Sequence, residues 1–336
     1  MKVFVTGATG VLGSRLVDRL ADRDHEVVGL ARDEAGERSV EERGGTARHG
    51  DVLDPATLER SVDDEVEVLV HAATAIPDST KPTEAEWSRN DRVRLEGMRN
   101  LLDVAPSGIR QVLFPSVVWV ARQPDGSRFD ETAERHPDRA TRSAAEVEDL
   151  LERRAASDGF DAAVLRCGFF YAPDARDTRE WAARLLDGDL PVVAGGLLGR
   201  RDAELSFVRA DDAATAFVAA IETGAGGVYH VVDDEPATPA AFFGRFADLL
   251  DAPEPGRIPA WLARFFVGKV AARLLASPMP TTNERAREEL GWEPEYPTYR
   301  EGLEEVVETW RADGTLDELR GEGPSGTAAP TDEEPA

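Results

Sequence analysis

Apolar residues follow two rhythms along the first half of this chain. Short runs such as Val3-Phe4-Val5 alternate with stretches whose apolar positions recur at helical spacing, as at 11, 12, 16, 17 and 20. The first rhythm suits a strand buried on both faces and the second a helix with one apolar stripe. Their alternation predicts a parallel sheet covered by helices on both sides. Strands are expected at 3–5, 26–30, ending near 49, and at 66–70, 111–114 and 162–166; helices are expected at 11–20, 84–104 and 140–156. Beyond 166 the alternation gives way to loops, helices and isolated strands, including 204–208 and 228–232.

The expected class is therefore α/β, a doubly wound parallel sheet with helices on both faces over 1–166 and a smaller α/β C-terminal substrate lobe over 167–312. The strand at 228–232 is expected to return to the main sheet, and 313–336, rich in Gly, Pro, Thr, Asp and Glu, to be a disordered acidic tail. A helical stripe over 259–275 carries Trp261, Phe265 and Phe266. It fits core more readily than the lining of an apolar substrate pocket.

Composition narrows the function classes. No apolar run reaches the ~18 residues of a membrane span, and no basic-then-apolar leader precedes the first strand, so a cytoplasmic protein without membrane contact is expected. One cysteine, Cys167, allows no internal disulfide, and no Cys/His cluster has the spacing of a metal site. The formal charge is −26, and lysine occurs only at 2, 81 and 269. Such a surface resembles that of halophile proteins, in which molar salt screens the self-repulsion of acidic groups that keep the protein hydrated. It argues against nucleic acid as a partner, which requires a basic face.

The first strand runs into Thr6-Gly7-Ala8-Thr9-Gly10-Val11-Leu12-Gly13 and then a helix. Strand, glycine turn and helix together form a Rossmann phosphate loop. Gly7 permits the turn, Gly10 lets a pyrophosphate approach the backbone, and Gly13 lets helix and strand pack closely, while the first-turn N–H groups face the phosphates. At the end of the second strand, Ala31 stands where a carboxylate would hold an adenosine ribose, and Arg32 follows. A guanidinium there pairs with a 2′-phosphate, so NADP(H) is favoured over NAD(H); the plainer reading of Arg32 is a solvated strand-end charge.

Further motifs in chain order resemble the extended short-chain dehydrogenase/reductase family, of the NAD-dependent epimerase/dehydratase type. They are Gly50-Asp51-Val52-Leu53-Asp54, His71-Ala72-Ala73, Gly97-Met98-Arg99-Asn100, Leu165-Arg166-Cys167-Gly168, Phe207-Val208-Arg209-Ala210-Asp211-Asp212 and Glu289-Leu290-Gly291-Trp292. The resemblance implies that Asp51 contacts the adenine with Val52 beside it, that Ala72 and Ala73 line the ribose, and that Cys167 is a small neutral wall near the nicotinamide. A lone buried thiol is the alternative for Cys167. It also implies a small-molecule substrate between the lobes and, by analogy, a homodimer.

The same resemblance calls for a Tyr, a Lys four residues later, and a Ser or Thr after the fifth strand. Ser116 matches the last position. On an ungapped alignment of the helix at 140–156, Ala140 and Ala144 replace Tyr and Lys, Arg94 replaces an Asn of the preceding helix, and no tyrosine (171, 229, 296, 299) has Lys four positions on. Tyr171 and His136 are the remaining candidate acids. Two readings stay open: an oxidoreductase acting on a carbonyl or alcohol through a non-standard acid, or a catalytically inactive NADP(H)-binding sensor or assembly subunit.

Overall fold

Val3, Phe4 and Val5 are completely buried, as a strand covered on both faces must be. In the computed structural model, which describes residues 1–77, 81–194, 202–265 and 268–321, they lie in β1 (Lys2–Thr6) near the middle of the main sheet. With it run β2 (Glu26–Ala31), β3 (Thr46–His49), β4 (Val68–His71), β5 (Gln111–Val117) and β6 (Asp161–Cys167). Three short strands follow, β7 (Phe169–Tyr171), β8 (Val192–Ala194) and β9 (Phe207–Arg209), before β10 (Gly227–Val231) and β11 (Arg257–Pro259). β10 returns to pair with β6, as the apolar run at 228–232 predicted.

The main sheet has seven strands in the order β3-β2-β1-β4-β5-β6-β10, every neighbouring pair parallel. On one face, Leu16 and Val17 of helix Val11–Ala21 and Phe217 and Ile221 of helix Ala210–Thr223 join Val3, Val5 and Leu113 in one core. On the other, Met98 and Leu101 of helix Gly97–Asp103 and Val147 and Leu151 of helix Arg142–Asp158 cover Phe4, Leu69 and Val112. A third core holds β7, β9 and two later helices together. There Phe207 stacks on Phe242 at 4.1 Å, and Phe246 meets Trp310. The strand order reverses between β1 and β4, where open α/β sheets form their ligand crevice.

Capping chemistry sets several boundaries. Thr83 and Glu86 form a reciprocal capping box at the start of helix Glu84–Asp91, and Thr238 followed by Pro239 opens helix Pro239–Leu250. Other boundaries differ from expectation. The helix expected over 84–104 is interrupted by a widened π turn, Arg92–Glu96, and the helix expected from 140 begins at Arg142, leaving Ala140 in the preceding turn. Among the described residues no helix is long and apolar enough to cross a membrane.

Two expectations are corrected. The chain does not lose structure at 313: Gly314, at φ +83°, ends helix Tyr299–Asp313 and a further helix, Thr315–Arg320, seats Leu316 in the Trp310 core. Polar composition around 314 concealed one well-placed leucine; residues 322–336 lie outside the described residues. The stripe at 259–275 is core only in part: Ala263 and Ala272 are buried with Val193, but Trp261 and Phe265 are 50% and 56% exposed, and Phe266 lies outside the described residues.

Leu316→Ala should lower the unfolding free energy by about 2 kcal/mol or more, read from urea denaturation midpoints at constant m. An unchanged midpoint would show the last helix to be undocked.

Candidate functional site

The glycine loop owes its shape to backbone crossing at close range. Gly7 has φ +70°, and a Cβ built on it would lie 2.6 Å from the Ala72 carbonyl and the Ala73 nitrogen. A Cβ on Gly13 would lie 2.0 Å from the Gly7 carbonyl oxygen. No side chain fits at either position, so loop, helix and the end of β4 meet backbone to backbone. The turn closes with Gly10 N–H donating to Gly7 O at 2.9 Å. Helix Val11–Ala21 then starts at Gly10 with no side-chain cap and no acidic residue in its first turn. Its first N–H groups lack helical partners and present the positive end of the helix dipole.

Facing this turn is a cleft of about 250 Å³. Gly7, Thr9 and Gly10 form its floor; Ala31 and Arg32 enter from the end of β2, Asp51 and Val52 follow β3, and Ala72 and Ala73 follow β4. Arg89 and Val93, one helical turn apart, line it from the long helix opposite. Arg32 and Arg89 are both exposed, and neither makes an ion pair or side-chain hydrogen bond. Their spacing along the chain gave no sign that they share a cleft.

Next to Ala72 of this cleft, at the end of β4, His71 is completely buried. Its Nε2 donates to the carbonyl oxygens of Val93 and Arg94, both at 3.1 Å, which the π turn directs towards it. Nδ1 is thereby left to accept from Thr6 Oγ1 at 2.8 Å. Burial pushes its pKa down from 6.5 to about 4, so the ring is neutral at pH 7. One imidazole thus joins the last residue of β1, the end of β4 and the long helix.

Other expected site residues lie elsewhere. Val11 packs against Ala172, Ala175 and Ala210, and Leu12 enters the core beneath the loop, so these two and Gly13 shape the loop without lining the cleft. Ser116 does not line this cleft. It is 2% exposed, and its hydroxyl donates to Glu148 Oε1 at 2.5 Å, because alternation along β5 turns it towards helix Arg142–Asp158. Arg166 pairs with the same carboxylate, at 2.7 Å. Cys167 is not a pocket wall either: it is buried in the sheet core, its thiol donates to Leu165 O, and burial pushes its pKa up. The Tyr171 hydroxyl donates to buried Asp233 at 3.2 Å, and burial raises its pKa well above the ordinary value. His136 is half-exposed on a loop and lies outside the cleft lining. Among the described residues no cluster of potential metal ligands occurs.

Residues 3–232 match the model of the NAD dependent epimerase/dehydratase family. The chain belongs to that family. A family relative from Streptomyces sp., 3-diazoavenalumate denitrifying reductase, is 36% identical over 310 residues, covering 90% of this chain and 99% of the relative. Over a shorter stretch, 37% of this chain and 36% of the relative, a Synechocystis photosystem II assembly factor is 31% identical. Among solved structures, UDP-glucose 4-epimerase of Thermotoga maritima shares the fold at TM-score 0.75 and 23% identity, covering 93% of this chain and 99% of its own. A human epimerase family protein crystallised with NADPH does so at TM-score 0.75 and 19% identity, covering 92% and 99%. Family membership together with a reductase among the relatives supports an NAD(P)-binding oxidoreductase.

The His71 pKa sets a sign for acid stability. Its folded value lies below the unfolded 6.5, so the unfolded chain takes up the proton first. Stability should be full above pH 6.5, fall as the pH drops from 6.5 towards 4, and lose about 2 kcal/mol from this group by pH 5. His71→Gln should flatten part of that slope in denaturation curves at pH 7 and pH 5. Buried His230, pushed down to about 3, accounts for a second part.

Proposed function

We propose that this protein is an NADP(H)-dependent reductase whose acceptor needs no proton from the protein. The observation carrying the cofactor half is the cleft itself: an uncapped helix start, a glycine cradle that a Cβ would fill, and the unpaired Arg32 and Arg89 on its walls. In a chain of net charge −26, two guanidinium groups without carboxylate partners facing one cleft are suited to an anionic ligand. Gly7, Thr9, Gly10 and the first-turn amides would hold the pyrophosphate, Ala31 leaves room where a carboxylate would repel a 2′-phosphate, and Arg32 would pair with that phosphate.

The absence of a protein acid carries the second half. On the ungapped alignment Ala140 and Ala144 take the positions of the family's Tyr and Lys; Ala144 is fully buried among apolar neighbours, and the Ser116 hydroxyl is committed to Glu148. Reduction of a carbonyl to an alcohol requires a proton as well as a hydride. Replacement of dinitrogen on a diazo-derived cation does not: a reduced dinucleotide held in the cleft would supply the hydride for the new C–H bond, and the C–N bond would break with neutral dinitrogen leaving with the bonding electrons. A full-length relative named for reduction of a diazo compound agrees with this chemistry. The acidic surface belongs to the same reading as an adaptation to salt, so assays belong in molar KCl.

Arg32→Ala should weaken NADPH binding by about 10- to 100-fold and leave NADH within about twofold, measured by nucleotide fluorescence titration. Equal affinity for both dinucleotides, unchanged by the substitution, would refute the NADP(H) preference. In turnover, NADPH oxidation is expected with an arenediazonium salt, with release of dinitrogen, and not with unactivated aldehydes or ketones. Tight binding without oxidation of NADPH by any acceptor would make the protein a cofactor-holding sensor or assembly subunit instead.

A further inference from the structure

Among the described residues five arginines are buried, and four of them meet a carboxylate. Arg15 pairs with Asp174 and Asp211, Arg122 with Asp138, Arg166 with Glu148 and Arg209 with Glu305. Arg94 is the exception. It is 5% exposed, its Nε is sealed from solvent without an acceptor, and its guanidinium makes no hydrogen bond or ion pair. Asp91 acts on it only at a distance: its Oδ2 is held by Arg139 at 2.8 Å and by Arg142 at 3.3 Å, and its buried Oδ1 meets no donor. Burial draws the Arg94 pKa down to about 10, which leaves it charged at neutral pH.

An uncompensated buried cation is strongly unfavourable, and arginine cannot escape by losing its proton. Its location gives the charge a use. Arg94 lies in the π turn immediately after Val93, a wall of the cleft, and close enough to His71 at the inner end of β4 to influence that ring electrostatically. Helix Arg142–Asp158 packs against the π turn, and its Ala144 is fully buried and offers no polar group. π turns of this kind are frequent at functional sites.

We infer that Arg94 anchors a carboxylate on a small organic acceptor bound next to the dinucleotide cleft, beyond Val93, its planar fork meeting both carboxylate oxygens. The inference rests on the reductase reading for the word acceptor, but not for the binding event. Arg94 is a positioning residue: it selects anionic acceptors and fixes their orientation, and no proton passes through it.

The test is equilibrium binding to the full chain saturated with NADP⁺, by calorimetry, using benzoate and cinnamate against benzamide and cinnamamide. Wild-type protein should bind at least one carboxylate about tenfold or more tighter than its amide. Arg94→Met should abolish that preference, Arg94→Lys should retain part of it, and the Kd for NADPH should stay within about twofold in both. Should Arg94→Met not fold, the carboxylate-to-amide ratio of Arg94→Lys decides. Equal binding of acid and amide by wild-type protein, no binding of either carboxylate, or a loss of NADPH affinity matching that for the carboxylate would each overturn the assignment. A preserved carboxylate preference with no NADPH oxidation would instead refute the reductase reading and leave Arg94 as an anion anchor.

Discussion

The structure depends on a backbone crossing that admits no side chain. Gly13 lies so close to the Gly7 carbonyl, and Gly7 so close to the end of β4, that a single Cβ at either place would force strand and helix apart. Because the crossing occurs where the strand order reverses, the resulting concavity lies at the carboxyl edge of the sheet, with the helix N-terminus aimed across it. The cleft follows from the packing of the fold, and loop residues decorate it.

A neutral imidazole braces this arrangement. His71 accepts from Thr6 and donates to two carbonyls of the π turn, so it ties β1, β4 and the long helix into one frame. Burial keeps the ring neutral, and neutrality allows it to donate with one nitrogen and accept with the other. The same π turn that supplies its acceptors also places Val93 on the cleft wall and buries Arg94 behind it.

Electrostatics divides the molecule between surface and cleft. Acidic residues outnumber basic ones 65 to 39, and most buried arginines are matched with carboxylates. Arg32, Arg89 and Arg94 lie on or beside one cleft without an ion-pair partner, although Asp51 lines the same cleft. At a site that must receive an anion, a carboxylate already paired with the guanidinium would compete with the ligand, so the lack of such a pair favours binding.

What the sequence determined by itself was local or periodic. Two hydrophobic rhythms specified a doubly wound sheet, and a glycine spacing specified the turn and its partner helix, because steric exclusion at Gly7 and Gly13 acts between near neighbours and a strand end of predictable position. The motif resemblance also marked Asp51, Val52, Ala72 and Ala73, which the fold gathers on one cleft. Tertiary structure decided everything that turns on side-chain direction. Ser116 and Cys167 sit at strand ends near the expected chemistry, yet the pleat and its neighbours turn one towards Glu148 and the other into the core. Arg89 and Arg94 carry no local signature, since what distinguishes them is the lack of a partner, and whether a charge has a partner is settled only when distant elements pack around it.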